Sequence, residues 1–235
     1  MACYDDYDGV FFTVQSLRMH HKLPAGTEFL VLDNSPKGDH LEATKHFLSA
    51  VPNSRWIHVE DRQSSFVKYD AFKHATGDVV LGLDCHVLLE IGFIDRLLGW
   101  WEANQGSRSQ LTGPLLYNCL KSRSTHMSPV WRGQDFGTWG TDEVGVKGTD
   151  PFEIHMQGMG CFSFWREHFP TNLPNFQGFG AEEWFFAEKV RKQGGQVLCH
   201  PAMGWMHRFC WPKRSYPSCN DARIKNYYRG WLHLY

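Results

Sequence analysis

Asp84 and His86 stand one residue apart at the end of an apolar run, and their side-chain types suit a divalent cation. Residues i and i+2 of an extended segment point the same way, so a carboxylate oxygen and an imidazole nitrogen face one point. Hard oxygen and nitrogen donors accept Mn2+ or Mg2+, and two protein ligands leave positions open for phosphate oxygens or water. An Asp-x-His pair is a weak signal on its own, and a metal-activated hydrolytic water fits it as well as a bound diphosphate. Other residues could take part. Asp33 ends a second apolar run, and Tyr4, Asp5 and Asp6 form a turn after a third, although turns favour Asp in any case. Glu182 and Glu183 open a helical stretch, where the helix dipole favours acids whatever their role; a carboxylate there is also a candidate general base. His207 lies among aromatic residues, the ordinary setting of a packed histidine.

The elements that must hold these residues alternate. Residues 2–4 read as a short first strand, 10–20 as a helix, 28–32 as a buried strand stopping at Asp33, and 40–49 as a helix. Residues 56–59 form the next strand, 65–75 a helix, 78–83 a buried strand ending at Asp84, and 93–101 a helix. Such alternation predicts an α/β fold with a mostly parallel sheet flanked by helices. In such sheets ligands gather beyond the carboxyl ends of the strands, where Asp33, Asp84 and the turn after residue 4 all fall. Residues 105–150 are rich in Gly, Ser, Thr and Trp and lack periodicity; they read as a long irregular stretch whose aromatics favour an ordered, substrate-contacting region. Residues 180–192 form a strong helix stopped by Gly194-Gly195, and 196–199 a final strand. The tail, 208–235, is basic and aromatic.

Composition narrows the classes further. A chain of 235 residues fits one large α/β domain or two small ones, and 42% hydrophobic residues supply a sizeable core. The net charge of −1 argues against a protein coated for nucleic acid. Fifteen per cent aromatic residues, with ten tryptophans, serve a core but also line sugar and nucleotide pockets. No apolar run approaches the roughly 20 residues that span a bilayer, and the first residues carry neither a basic nor an apolar signal region. The seven cysteines form no Cys-x-x-Cys pair, which points to reduced thiols and a cytoplasmic protein. Cys199, His200, His207, Cys210 and Cys219 cluster near the end, but their spacings match no structural zinc pattern.

Residues 75–86, Ala-Thr-Gly-Asp-Val-Val-Leu-Gly-Leu-Asp-Cys-His, resemble the strand and metal motif of the GT-A glycosyltransferases, and the Asp-x-His form resembles that of the polypeptide N-acetylgalactosaminyltransferases. A second block, Gly180-Ala181-Glu182-Glu183-Trp184 through Gln193-Gly194-Gly195 to Gly204-Trp205-Met206-His207-Arg208-Phe209, is similar to that family's G-G-E-N, helix, C-G-G, strand, V-G-H-x-F series. The resemblance covers nearly the whole chain and is strongest in these two blocks.

It implies a single GT-A catalytic domain over residues 1–235, with a nucleotide-binding half (1–104) and an acceptor-binding half (105–235). It further implies Mn2+ (or Mg2+) held by Asp84, His86 and His207, and a UDP-sugar donor. Asp33 would meet the uracil; Tyr4 and Asp6 match first-strand nucleotide contacts, and Lys68 takes the place of a donor-contacting Arg without its bidentate fork. Gly160, within the small-residue run 158–163, would support the donor sugar. Glu182 and Glu183 resemble the acceptor-site pair; the metal motif looks like that of retaining relatives, whereas an acid at Glu183 is compatible with inversion. Lys213-Arg214-Ser215-Tyr216-Pro217 resembles a basic loop closing over the diphosphate. The resemblance shows neither a membrane anchor nor a lectin module in this sequence, as for a bare bacterial or viral catalytic domain. The expected reaction moves a hexose or N-acetylhexosamine to a hydroxyl of a glycan, a polypeptide or a hydroxymethylated DNA base. Two alternatives remain at this level: a non-catalytic sugar-nucleotide-binding module on the same fold, and a metal-dependent hydrolase.

Overall fold

A computed structural model describes residues 1–35, 37–60, 64–209 and 220–235. The first half runs β1 (Ala2–Cys3), α1 (Tyr7–His20), β2 (Phe29–Asp33), α2 (Leu41–Ser49), β3 (Ser54–His58), α3 (Val67–His74) and β4 (Val79–Leu83). The chain continues through β5 (Val87–Leu89), α4 (Phe93–Ala103), β6 (Gln110–Thr112), β7 (Leu115–Leu116), β8 (Arg123–Ser124), β9 (His126–Arg132), β10 (Asp135–Gly140) and α5 (Glu143–Lys147). It closes with β11 (Phe152–Glu153), β12 (Cys161–Trp165), α6 (Glu182–Lys192), β13 (Val197–Cys199), β14 (Trp205–His207) and α7 (Asn220–Leu234).

β1, β2 and β3 pair in parallel, with Cys3 opposite Asp33. A parallel bridge between Ala2 and Asp84 joins β1 to the end of β4. β4 then pairs antiparallel with β12, which leads through β6 and β13 to β11. A smaller sheet, in the order β5-β14-β7-β8, stands beside it. The registers bring residues 3, 33 and 84 to adjacent carboxyl ends of the parallel strands.

Helices cover both faces, as a sheet buried on both sides requires. Val10, Val14 and Leu17 of α1 and Leu97 and Trp101 of α4 pack with Leu83 and Val31 in one core. The opposite core is aromatic: Tyr69, Phe72, Phe162, Phe164, Phe169 and Phe186 are buried together, and Phe72 stacks on Phe169 at 3.7 Å between ring centroids. Fully burying side chains of this size contributes roughly 1.5–3 kcal/mol each against leaving them exposed, so both cores hold the site from behind.

Two regions differ from the sequence expectation. Residues 105–150 are not irregular, for they contain β6, β7 and β8, the β9–β10 hairpin and α5. The hairpin escapes a periodicity reading because most of β9 is exposed and Gly137, at φ 117°, sits where the β9–β10 register shifts. The tail contains a 15-residue helix, α7, whose buried positions include Asn226 and Gly230 rather than an apolar stripe. Among the described residues no helix is long and apolar enough to cross a membrane.

Candidate metal and donor site

Asp84 follows the last residue of β4, and its backbone N–H donates to the Gly160 carbonyl at 2.9 Å. This bond locks the turn after the strand. Gly160 is needed there: a Cβ on it would lie 3.1 Å from the Trp205 ring and 3.2 Å from Asp84 Oδ2. Cys85 turns into the core, so Asp84 and His86 face the same space on the other side. β14 brings His207 to that space from 121 residues away, pairing opposite Val87.

The three side chains converge. His86 Nε2 and His207 Nε2 are 3.1 Å apart, and His207 Nε2 is 3.4 Å from Asp84 Oδ2. One ligand atom from each lies within 4.8 Å of the others. A carboxylate and two imidazoles form a donor set that fits Mn2+ or Mg2+ with room for further oxygen ligands. His86 is held from behind, its Nδ1 3.1 Å from Asp6 Oδ2, an arrangement that reserves Nε2 for an ion. Asp6 itself accepts from Gly9 N as the cap of α1 and from Arg208, whose Nη2 lies 2.9 Å from both carboxylate oxygens.

Lys68 is buried on α3, and its Nζ donates to Asp84 Oδ1 at 2.8 Å and to the Met159 carbonyl at 3.0 Å. Burial opposes the charge of both partners, but each outweighs it for the other. The Asp84 carboxyl falls well below the usual range, because Lys68 and the two histidines offset its desolvation. The Lys68 ammonium is raised because Asp84 and Glu182 offset its own. For His86 desolvation prevails over Asp6 and Asp84, and its pKa is lowered, which favours the neutral, metal-binding imidazole.

Asp33 is fully buried at the end of β2. Its Oδ1 accepts from Ser35 N at 3.0 Å and Ser35 Oγ at 2.7 Å, whereas Oδ2 has no hydrogen-bond partner among the described residues. A buried carboxylate oxygen without a donor is costly, and a ligand N–H would relieve it. Tyr4, partly buried, follows β1 at the same edge.

Glu182 and Glu183 begin α6. Glu182 is buried and clamped, with Oε1 accepting from Ser65 Oγ at 2.9 Å and Oε2 from Gly180 N at 2.8 Å. The chain reaches this helix through two left-handed residues, Gly180 at φ 101° and Ala181 at φ 82°. A glycine would hold the second without strain, as in the G-G-E pattern. Burial, then the Glu182 charge, pushes the Glu183 carboxyl up to about 8. Both glutamates act electrostatically on Lys68, so the acidic pair and the Asp84, His86 and His207 cluster belong to one region.

Of the site residues expected from the sequence, Asp33 ends β2, Asp84 follows β4, Tyr4 and Asp6 follow β1, His86 and His207 converge on Asp84, Lys68 reaches Asp84 from α3, Gly160 precedes β12, and Glu182 and Glu183 open α6. The basic segment 213–217, and Cys210 and Cys219, lie outside the described residues. Arg208 and Ser65 were missed by sequence reasoning. Arg208 occupies the variable position of the H-x-F series and directly follows His207, which was its only signal. Ser65 had none, since its role depends on a contact 117 residues away. A cavity of about 790 Å3 opens beneath the site, lined by Phe29, Leu30, Leu81, Leu97 and Trp101, and Lys68 reaches it from the site.

A parallel sheet entered through β1, a carboxylate and histidine at its edge and an acidic helix start across from them define the GT-A glycosyltransferase fold. No family model matches the chain. It is 26% identical over 200 residues to polypeptide N-acetylgalactosaminyltransferase 5 of Rattus norvegicus, a match covering 77% of this chain and 21% of that protein. The chain thus spans about a fifth of the length of this curated relative. Among solved structures it resembles GalNAc-T7 with UDP, GalNAc and Mn2+, at a TM-score of 0.76 and 16% identity over 95% of this chain and 45% of that one. It also resembles the mannosyltransferase PcManGT from Pyrobaculum calidifontis in complex with GDP-Man and Mn2+ (TM-score 0.60, 17% identity, 99% and 61% covered). A third is S. aureus TarS 1-349 in complex with UDP-GlcNAc (0.55, 15%, 92% and 58%). The resemblance read from the two motif blocks holds in sequence and in fold, and the relatives and neighbours are glycosyltransferases.

Proposed function

We propose that this chain is a metal-dependent glycosyltransferase that moves a hexose or N-acetylhexosamine from a UDP-sugar to an acceptor hydroxyl. The observation that carries this reading is the convergence of Asp84, His86 and His207 from two distant motifs, with Asp6 fixing the tautomer of His86. These three residues would hold Mn2+ (or Mg2+), which neutralises charge developing on a departing diphosphate. Lys68 occupies Oδ1 of Asp84 and so leaves Oδ2 for the ion. Asp33 Oδ2, buried and without a donor, suits the imide N–H of uracil. Tyr4 lies beside it for the nucleoside, and Gly160 leaves space for the donor sugar. Glu182 orients the start of α6, and Glu183 takes the proton of the acceptor hydroxyl.

Residues 1–104 supply the donor contacts, and 105–235 supply His207, Glu183 and the acceptor side, within one catalytic domain. The thiols of Cys3, Cys85, Cys161 and Cys199 are free and buried, which suits a reducing cytoplasm. Neighbours carrying UDP, UDP-GlcNAc and GDP-Man support a sugar-nucleotide donor, and two of them also contain Mn2+. A thermal-shift screen of UDP, GDP, CDP and their sugars, with and without Mn2+, tests the reading. UDP should stabilise the protein only with Mn2+, and His86→Ala should abolish that effect together with transfer. Full activity in His86→Ala would overturn the metal assignment. Mn2+-dependent UDP binding without turnover of any UDP-sugar would favour a binding module instead.

A further inference from the structure

The outer wall of the acceptor side is aromatic. Trp131 on β9 is 57% exposed, yet it is braced by Phe136 and Tyr227, each 5.1 Å away between ring centroids and inclined at 58° and 63°. The Tyr227 hydroxyl oxygen of α7 accepts from Phe136 N at 3.0 Å, which ties the helix to the hairpin. Trp184, the residue after Glu183, continues the row at 6.3 Å from Tyr227 and 6.5 Å from Phe136. The Tyr227 hydroxyl is pushed up to about 12 by burial and, among other charges, by Glu183. The row therefore leads from the proposed base outward to an exposed indole.

We propose that this row is an acceptor subsite for a pyranose ring, with Trp131 as the stacking platform, so that the acceptor is a glycan; this rests on the transferase reading above. Two observations favour a sugar. Inclined neighbours hold the indole without covering both its faces, and a flat rigid face suits the apolar C–H face of a pyranose. The rim is polar, for Arg223 of α7 pairs with Asp135 of β10 beside the row, giving hydroxyl groups both a donor and an acceptor.

Calorimetric titration of the whole chain with N,N'-diacetylchitobiose, maltotriose and lactose, and separately with a Ser/Thr-rich peptide and a single-stranded oligonucleotide, tests the proposal. At least one saccharide should bind. Trp131→Ala should weaken it roughly two- to tenfold, and Trp131→Phe should retain most of the affinity. In transfer assays the alanine variant should raise the acceptor KM more than it lowers kcat. Unchanged saccharide affinity in Trp131→Ala, no saccharide binding at all, or binding of the peptide or oligonucleotide in place of the saccharides would overturn it. Mn2+-dependent UDP binding by the unaltered protein is measured in parallel. Its absence would sink the transferase reading, whereas the saccharide titrations judge the platform directly.

Discussion

Lys68→Met should destabilise the metal-free protein and at the same time tighten its hold on Mn2+. Lys68 is buried with Nζ 2.8 Å from Asp84 Oδ1 and 3.0 Å from the Met159 carbonyl. Methionine approximates the volume of the stem and removes the charge. Breaking a buried ion pair by deleting one partner costs about 3–5 kcal/mol. The Asp84 side chain retains 23% exposure, so water screens part of the loss and the lower end of the range applies. A loss of about 3 kcal/mol lowers the melting temperature of a domain this size by roughly 6–12 °C. The sign reverses for metal. With the ammonium gone, Asp84 is an uncompensated anion facing two imidazoles, and a divalent cation is the natural replacement. Differential scanning calorimetry with and without Mn2+ reads both effects. The Mn2+-induced rise in melting temperature should be larger in Lys68→Met than in the unaltered chain. A variant that melts within about 2 °C of the parent would refute the buried pair. An equal or smaller Mn2+ response would refute Asp84 as a ligand.

Three other changes probe the rest of the site. If Glu183 is the base, its carboxyl must be deprotonated to act, so transfer should rise with pH through about 8, and Glu183→Gln should lower kcat roughly 10²- to 10⁴-fold; a pH-rate profile flat from 6 to 9 would count against the role. The same raised value favours the folded state below its ordinary 4.5, and that stability is lost as pH rises toward about 8, so urea melts of Glu183→Gln should depend less on pH over that window. Asp33→Asn replaces the unpaired acceptor with an NH2 donor, which should weaken UDP roughly ten- to a hundredfold; unchanged UDP affinity would remove Asp33 from the nucleotide site. Gly180→Ala forces a Cβ to within 2.7 Å of Arg223 at φ 101° and should cost roughly 2 kcal/mol in urea unfolding, together with the Gly180 N bond that orients Glu182.

The proposed donor side was legible in the sequence because its candidate residues sit at strand ends. Apolar runs such as Val79–Leu83 announce a buried strand, and the first polar residue after each run is forced to the carboxyl edge. That rule places Asp33 and Asp84 at the same edge; β1 stands between their strands, with Cys3 opposite Asp33 and Ala2 bridged to Asp84. His207 needed more, since its strand is three residues long and its partner strand is 118 residues earlier; only the spacing from Gly194 in a family pattern singled it out. The acceptor side resisted for a different reason. The β9–β10 hairpin and α7 bury little apolar surface of their own, so neither shows the alternation or the stripe that marks an element packed against a core. Their order comes from long-range contacts, for Tyr227 accepts from Phe136 and Arg223 pairs with Asp135 across about 90 residues, and Asn226 ties α7 to Gln177 and Gly180, none of which leaves a local pattern. A surface assembled by such long-range contacts is free to change its side chains without disturbing either core. The proposed donor residues are bound to the sheet and cannot vary in that way, which is why the proposed nucleotide end is the legible one, whereas the proposed acceptor subsite rests on Trp131, Tyr227 and their neighbours.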